Sequence, residues 1–133
     1  MAATFKFELV SPERVLMTGD AEQVLLPGAE GDMTILPGHA PVISTLRPGI
    51  LDIILSGSKS RVFVKSGFAE VEPDRVTVLA ESAYDLAELD AAKISSELAA
   101  AEAELASAND DDARFLANEA IGALTRLKGG SGH

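Results

Sequence analysis

The pattern of the sequence changes abruptly near Tyr84. Gly and Pro are absent between Asp85 and Gly122, where Ala becomes dominant, whereas both residues punctuate the chain before Tyr84 at short intervals. Because Pro breaks helices and Gly weakens them, no helix of useful length fits before this point. We therefore predict an α+β chain, with a β unit over residues 1–84 and a helical unit over residues 85–133.

Short apolar runs recur along residues 1–84 with the period of a strand. Phe5, Phe7 and Leu9 alternate with Lys6 and Glu8, the pattern of a half-buried strand. Nine short runs of this kind predict a sandwich or a barrel. The eight further runs are residues 15–18, 22–27, 33–36, 42–46, 49–55, 61–65, 68–71 and 76–80.

Two of the intervening breaks carry residues typical of tight turns. Gly57, between Ser56 and Ser58, supplies a hairpin position that needs a positive φ. Pro73 and Asp74 fit a type I turn, because Pro fixes φ near the value that the turn requires. Both breaks therefore predict hairpins between neighbouring strands.

Apolar residues in the helical unit follow the helical period in two stretches. Asp85 and Glu88 have the spacing of a capping box, and Gly129 is the residue type of a C-cap. We predict two antiparallel helices at about residues 88–106 and 111–128, followed by a flexible tail. The two apolar stripes are Leu86, Ile94, Leu98, Ala101 and Leu105, then Ala113, Ala117, Ala120, Leu124 and Leu127.

Composition excludes several classes of function. The formal net charge of −10 argues against nucleic-acid binding, which needs clustered Lys and Arg. Because the sequence has no Cys, it offers no disulfide, thiolate metal site or cysteine nucleophile. No apolar run approaches the roughly 18 residues of a membrane span, and residues 1–10 alternate like a strand rather than a signal peptide. We expect a soluble chain, or one that reaches a membrane only through protein partners.

The most distinctive stretch is residues 27–41, which reads PGAEGDMTILPGHAP. It resembles the signature of the epsilon subunits of F-type ATP synthases, in which two Gly residues three apart lead through an apolar pair to Pro-Gly-His-Ala-Pro. Residues 46–51 and 76–81 resemble the strands that follow in this family. Order, spacing and total length agree over essentially the whole chain.

This resemblance implies a sandwich of about ten strands followed by a helical hairpin. It also implies a non-catalytic central-stalk subunit, which couples rotation of the c-ring to the catalytic head. The implied partners are the gamma subunit, the c-ring and, through the C-terminal helices, the alpha and beta subunits. The implied location is peripheral, on the cytoplasmic side of a bacterial inner membrane. The mitochondrial counterpart, called delta, has the same design, but no Arg- and Ser-rich transit sequence is seen here.

The resemblance also implies interface residues in the signature stretch. Asp32 matches the acidic position that contacts a basic residue of the c-ring loop, with Glu30 as a second candidate. Pro37, Gly38 and His39 form the loop placed near the ring. The alternative for Asp32 is an ordinary solvated turn acid. From the residues alone, His39 is a structural or interface histidine rather than a catalytic base, since the other His lies in the tail.

Two motifs that suggest ligands have simpler explanations. Gly28, Gly31 and Gly38 lack the Lys-Ser/Thr ending of a phosphate-binding loop and the long helix that follows it. Residues 110–112 are three consecutive Asp, which suit the positive end of a helix dipole better than a Ca²⁺ site. We expect no metal and no catalytic residue.

Some epsilon subunits bind ATP on the helical hairpin, and this chain departs from their motif. Leu89 and Asp90 match, but Lys93 stands where the family has Arg, and Lys lacks the bidentate fork. Gly122 falls where another family arginine would align, which leaves Arg126 as the clear match. We therefore expect no cofactor, with ATP binding weak or absent.

Two other classes of protein fit parts of the sequence. A stand-alone nucleotide-sensing protein would use the hairpin as a clamp. An enzyme on a small sandwich is disfavoured, because the motifs assemble no acid pair, nucleophile with base, or metal cluster. The second helix offers few bases to meet acidic loops of a catalytic head, namely Arg114, Arg126 and Lys128, so we expect weak inhibition of ATP hydrolysis.

Overall fold

The computed structural model describes residues 3–129, and it divides into two compact units between Asp85 and Leu86. In this described part of the chain, nine strands form the first unit, and two α-helices dominate the second. The predicted α+β class, a β-sandwich followed by two helices, is confirmed, with nine strands in place of about ten. Of the predicted tail, Gly129 ends the second helix, and residues 130–133 lie outside the described residues.

Short turns connect most of the strands. Pro73 and Asp74 form the predicted turn, and Gly57 has the predicted positive φ, at +83°. The strands are β1 (Phe5–Val10), β2 (Val15–Gly28), β3 (Gly31–Ile35), β4 (Val42–Leu46), β5 (Gly49–Leu55), β6 (Ser58–Val64), β7 (Gly67–Glu72), β8 (Arg75–Ala80) and β9 (Ala83–Asp85).

Strand β2 links the two layers of the sandwich. One layer runs β1-β8-β7-β4, with β1 parallel to β8 and the other pairs antiparallel. The other layer contains β5, β6 and β9, and β3 pairs with β2 alone. The first half of β2 pairs with β1, whereas its second half pairs with β3 and β5. The sequence predicted two runs, 15–18 and 22–27, where the structure has one long strand.

The core cluster between the layers contains two rings, Phe5 and Phe7, and is otherwise aliphatic, whereas the ring of Phe63 is buried outside that cluster. Phe5, Phe7 and Leu9 are buried, as the period-two pattern predicts. Each layer contributes the inward residue of every second position, because side chains alternate across a strand. The other buried members are Ala21, Val24, Leu26, Ile35, Leu46, Leu51, Ile53, Val62, Val64, Ala69, Val71, Val76, Val78 and Ala80.

The helical unit consists of α1 (Ala91–Ala106) and α2 (Asp111–Gly129), which pack on each other. Four residues of the predicted stripes are buried, namely Ala101, Ala117, Ala120 and Leu124. Such small side chains let helix axes approach closely.

The predicted start of the first helix at about residue 88 and its capping box are wrong. Asp85 ends β9, and Glu88 belongs to a 3₁₀ turn, Leu86–Glu88. Helix α1 begins at Ala91, because the side chain of Asp90 accepts a hydrogen bond from the Lys93 N–H at 2.8 Å. An Asp that satisfies a free N–H group of the first turn defines the N-cap, so the helix starts after it.

Candidate functional site

The turn between β2 and β3 is the centre of the signature stretch, and its residues 28–32 are called the tip. Ala29 and Glu30 form the turn itself. Gly31 has a φ of +142°, a region that side chains disfavour. A Cβ on Gly28 would lie 2.7 Å from the Gly31 carbonyl oxygen, too close for any larger residue. The glycines of the signature therefore serve backbone geometry, as the sequence predicts.

Arg47 binds the tip from the end of β4. One guanidinium nitrogen, Nη1, donates to the Gly28 carbonyl at 2.6 Å, and the other, Nη2, donates to Oδ1 of Asp32 at 2.6 Å. The Arg47 N–H donates to the Pro27 carbonyl at 2.9 Å. The Arg47 side chain is 22% exposed and that of Asp32 is 58% exposed. This half-buried cation therefore holds a carboxylate and a turn carbonyl at once.

Glu30 differs from Asp32 in its surroundings. It is exposed at the turn, and its side chain makes no ion pair or hydrogen bond with any residue in 3–129. Asp32 and Arg47 carry opposite charges in direct contact, so their fields largely cancel at a distance. The net negative charge of the tip is therefore centred on Glu30.

A surface groove runs beside the tip, between β3 and β4. These two strands share no ladder, and β4 meets β2 only where Gly28 pairs with Leu46. The tip and β4 line the groove, together with Met33. Ile43 on β4 is 70% exposed. The groove therefore combines an exposed apolar residue with the charged tip.

The loop Pro37 to His39 follows the other end of β3. Gly38 N–H donates to the Pro73 carbonyl at 2.9 Å, which ties this loop to the β7–β8 turn. The His39 ring is half-buried, and its Nδ1 lies 2.8 Å from the Ala40 carbonyl oxygen. Within residues 3–129 no carboxylate pairs with His39, and no bond joins it to Asp32. The structure thus places the predicted interface residues in two separate groups.

Two residues of the degenerate ATP motif, Asp90 and Lys93, have local structural partners. Asp90 caps α1, and Lys93 Nζ lies 3.5 Å from Oε2 of Glu97 one turn later. Leu89 is half-buried before the helix. Arg126 is exposed on α2 and makes no ion pair with the described residues. Asp90 and Lys93 therefore have local structural roles in α1, and ATP binding by these positions stays a prediction.

The acidic run at residues 110–112 starts the second helix. Oδ1 of Asp110 accepts a hydrogen bond from the Ala113 N–H at 2.7 Å, the geometry of an N-cap. Asp111 pairs with Arg114 within the first turn. In the described part of the chain no three His, Asp or Glu side chains lie close enough to hold a metal. The hydrogen bond of Asp110 and the ion pair of Asp111 agree with the prediction that this acidic run caps the start of a helix.

Sequence reasoning missed Arg47. A signal was available, since Arg47 is the only Lys or Arg between Arg14 and Lys59, in a stretch with five acids. Its pairing with Asp32 spans 15 positions and depends on the approach of β2 to β4. Spacing along the chain alone does not specify such a contact.

The fold and the charged tip define a class of small two-part proteins, a β-sandwich followed by a helical hairpin. A family model described as "ATP synthase, Delta/Epsilon chain, beta-sandwich domain" matches residues 4–86. The ATP synthase epsilon chain of Parvibaculum lavamentivorans is 49% identical over 129 residues, covering 96% of this chain and 98% of the relative. That of Maricaulis maris is 38% identical over 133 residues, with 100% of both chains covered.

Solved structures agree with these relatives. A chain in the Euglena gracilis mitochondrial ATP synthase, solved with OSCP, F1 and c-ring, superposes with a TM-score of 0.72 at 25% identity, covering 96% of this chain and 81% of that one. A central stalk/c-ring structure from Tetrahymena thermophila mitochondrial ATP synthase shares the fold, with a TM-score of 0.66 at 12% identity and coverage of 96% and 98%. The chain belongs to the ATP synthase delta/epsilon chain family, and the resemblance seen in residues 27–41 is confirmed.

Proposed function

We propose that this chain is a non-catalytic rotor subunit of a proton-transporting F-type ATP synthase, which couples rotation of the c-ring to the catalytic head through gamma. The observation that carries the proposal is the full-length similarity to epsilon chains, across both the sandwich and the hairpin.

The proposed partners are gamma and the c-ring, met by the sandwich. The tip, with Glu30 and Asp32, and the loop from Pro37 to His39 are the proposed contacts. An acidic tip suits a basic loop, because opposite charges accelerate encounter and fix register. The C-terminal helices are the proposed contact for the alpha and beta subunits.

The proposed location is the cytoplasmic face of a bacterial inner membrane, reached through protein partners. Among residues 3–129, no helix is both long and apolar enough to cross a bilayer. Attachment would then depend on the c-ring and gamma rather than on direct insertion.

Co-purification tests the rotor assignment directly. The tagged chain is expressed in its source organism, membranes are solubilised mildly, and the recovered proteins are identified by mass. Recovery of gamma, the c-ring subunit and the catalytic-head subunits supports the proposal. A folded, monomeric chain that recovers none of them contradicts it and favours a free nucleotide sensor. The control for the effect of surface charge is a chain that carries Glu13→Gln, which removes an exposed acid before β2.

We also propose that ATP binds weakly or not at all, and that the chain inhibits ATP hydrolysis weakly. The bases of α2 are few, and Arg114 already pairs with Asp111. ATPase rates of the complex with and without residues 88–133 are expected to be equal. A large rise on truncation would show that the hairpin inhibits strongly.

A further inference from the structure

Arg47 is positioned to control the shape of the tip. Its two terminal nitrogens contact two different parts of the turn, the Gly28 carbonyl that precedes it and the Asp32 carboxylate that follows it. A planar guanidinium bridges two acceptors in a fixed relative orientation, which an ammonium group does less well. The Ala29 N–H, which donates to the Thr45 carbonyl at 2.8 Å, adds a third link between the turn and β4.

The two acids of the tip are consequently not equivalent. Asp32 is held by Arg47 at 2.6 Å, whereas Glu30 makes no ion pair or hydrogen bond within residues 3–129. A cation that approaches Asp32 must compete with the Arg47 guanidinium for the carboxylate, so its attraction to Asp32 is weaker. No such competition exists at Glu30, which stands exposed at the turn.

We propose that Arg47 is the positioning residue of the tip, holding the Gly28 carbonyl and Asp32 in one arrangement. The consequence is that Glu30 is presented as the free carboxylate that a cationic partner surface meets first. This inference rests on the proposed function, since it assumes that the tip docks on the basic loops of a c-ring.

Arg47→Gln distinguishes positioning from charge, because the two effects have opposite signs. The substitution makes the tip more negative by one charge, so electrostatics alone predicts faster association with a cationic surface and tighter binding. Loss of positioning predicts the reverse, a complex that dissociates faster. The matched control is Arg61→Gln, which removes the same charge and a guanidinium–aspartate contact of 2.9 Å to Asp52, between β5 and β6.

The assay measures binding of the full chain to ATP synthase from its source organism, depleted of its own copy of this chain. Arg47→Gln is expected to raise the dissociation rate constant about three- to tenfold, and Arg61→Gln to leave it unchanged. Arg47→Lys keeps the charge but not the fork, so it is expected to give an intermediate rate. Glu30→Gln is expected to lower the association rate constant about two- to fivefold at roughly 0.01 M salt, with no difference at about 1 M.

Hydrogen exchange of the free chain gives a second readout that needs no partner. The Ala29 amide is expected to exchange faster in Arg47→Gln but at the wild-type rate in Glu30→Gln and Arg61→Gln. If the Arg47 variant does not fold, Arg47→Lys and Asp32→Ala test the same contact.

The positioning role is overturned if Arg47→Gln dissociates no faster than wild type and the Ala29 amide exchanges unchanged. It is also overturned if Glu30→Gln leaves the low-salt association rate unaltered. Failure of the wild-type chain to bind the depleted synthase contradicts the proposed docking instead, and with it the assignment of Glu30. The free-chain exchange result still decides whether Arg47 holds the tip.

Discussion

Gly67, at the start of β7, tolerates no side chain according to the structure. Its φ is +149°, and a Cβ built on it would lie 1.9 Å from the Leu79 carbonyl oxygen. That oxygen belongs to the backbone of β8, which is fixed in the ladder with β7, so it has little freedom to move. Gly67→Ala therefore combines backbone strain with a steric clash.

Gly31 supplies a matched control. Its φ is +142°, close to that of Gly67, but a Cβ there would have nothing within 4 Å. Gly31→Ala should lower the free energy of unfolding by the strain alone, about 1 to 3 kcal/mol. Gly67→Ala adds overpacking against backbone, about 1 to 3 kcal/mol more. The two variants should differ in melting temperature by about 5 °C or more, since 1 kcal/mol corresponds to roughly 4 to 8 °C in a domain of this size.

Tyr84 makes the measurement specific for the β unit. It is the single tyrosine in a chain without tryptophan, and its ring stacks on Phe63 with centroids 6.5 Å apart. Thermal unfolding followed by tyrosine fluorescence therefore reports the sandwich rather than the hairpin. Equal destabilisation by Gly67→Ala and Gly31→Ala would refute the close approach of β7 to the Leu79 carbonyl.

Three further predictions concern the core, the hairpin and nucleotide. Phe7→Ala should lower the free energy of unfolding by about 3 to 5 kcal/mol in urea denaturation, because the ring is 1% exposed. Leu36 is 50% exposed, so Leu36→Ala is the control. If Phe7→Ala lowered the free energy of unfolding no more than Leu36→Ala does, this prediction would be contradicted. Asp90→Ala should cost the hairpin about 1 kcal/mol in thermal unfolding followed by circular dichroism, whereas Asp90→Ser retains the cap. Calorimetry with Mg-ATP should detect no binding, and Lys93→Arg is the variant that restores the family residue.

Local patterns predicted the elements of the β unit well. Phe5, Phe7 and Leu9 are buried because a half-buried strand alternates, and that rule depends only on the geometry of one strand. The continuity of β2 was not predictable in this way. Its Gly19 and Asp20 read as a break, yet Gly19 lies inside the strand, where a Cβ would be tight against the Leu55 side chain at 3.3 Å.

The start of α1 shows how two local signals compete. Asp85 and Asp90 both precede helical sequence, and Asp85 also has the Glu of a capping box three positions on. Asp85 is instead used in the ladder with β6, where it pairs with Val62. The register of β9 therefore decides which Asp becomes the cap, and that register is a tertiary property.

The backbone geometry of the candidate site was predictable from the sequence, but the arrangement of its charged side chains was not. The signature glycines implied a tight turn, and Gly31 has the positive φ that such a turn needs. The prediction named Asp32 ahead of Glu30 from resemblance alone, and this ranking stays a prediction. What the sequence did not show is that Asp32 already has a cation beside it, because Arg47 arrives from a strand distant in the chain.

Strand β2 has a mechanical consequence for the sandwich, because it belongs to both layers. Two sheets held together only by side-chain contacts can slide over one another under a sideways load. Here Val15–Gly28 is hydrogen-bonded into both sheets, so sliding would require stretching a covalent backbone or breaking its ladders. A sideways load on one layer is therefore carried to the other by the backbone of β2. A component proposed to turn between a shaft and a ring benefits from such stiffness.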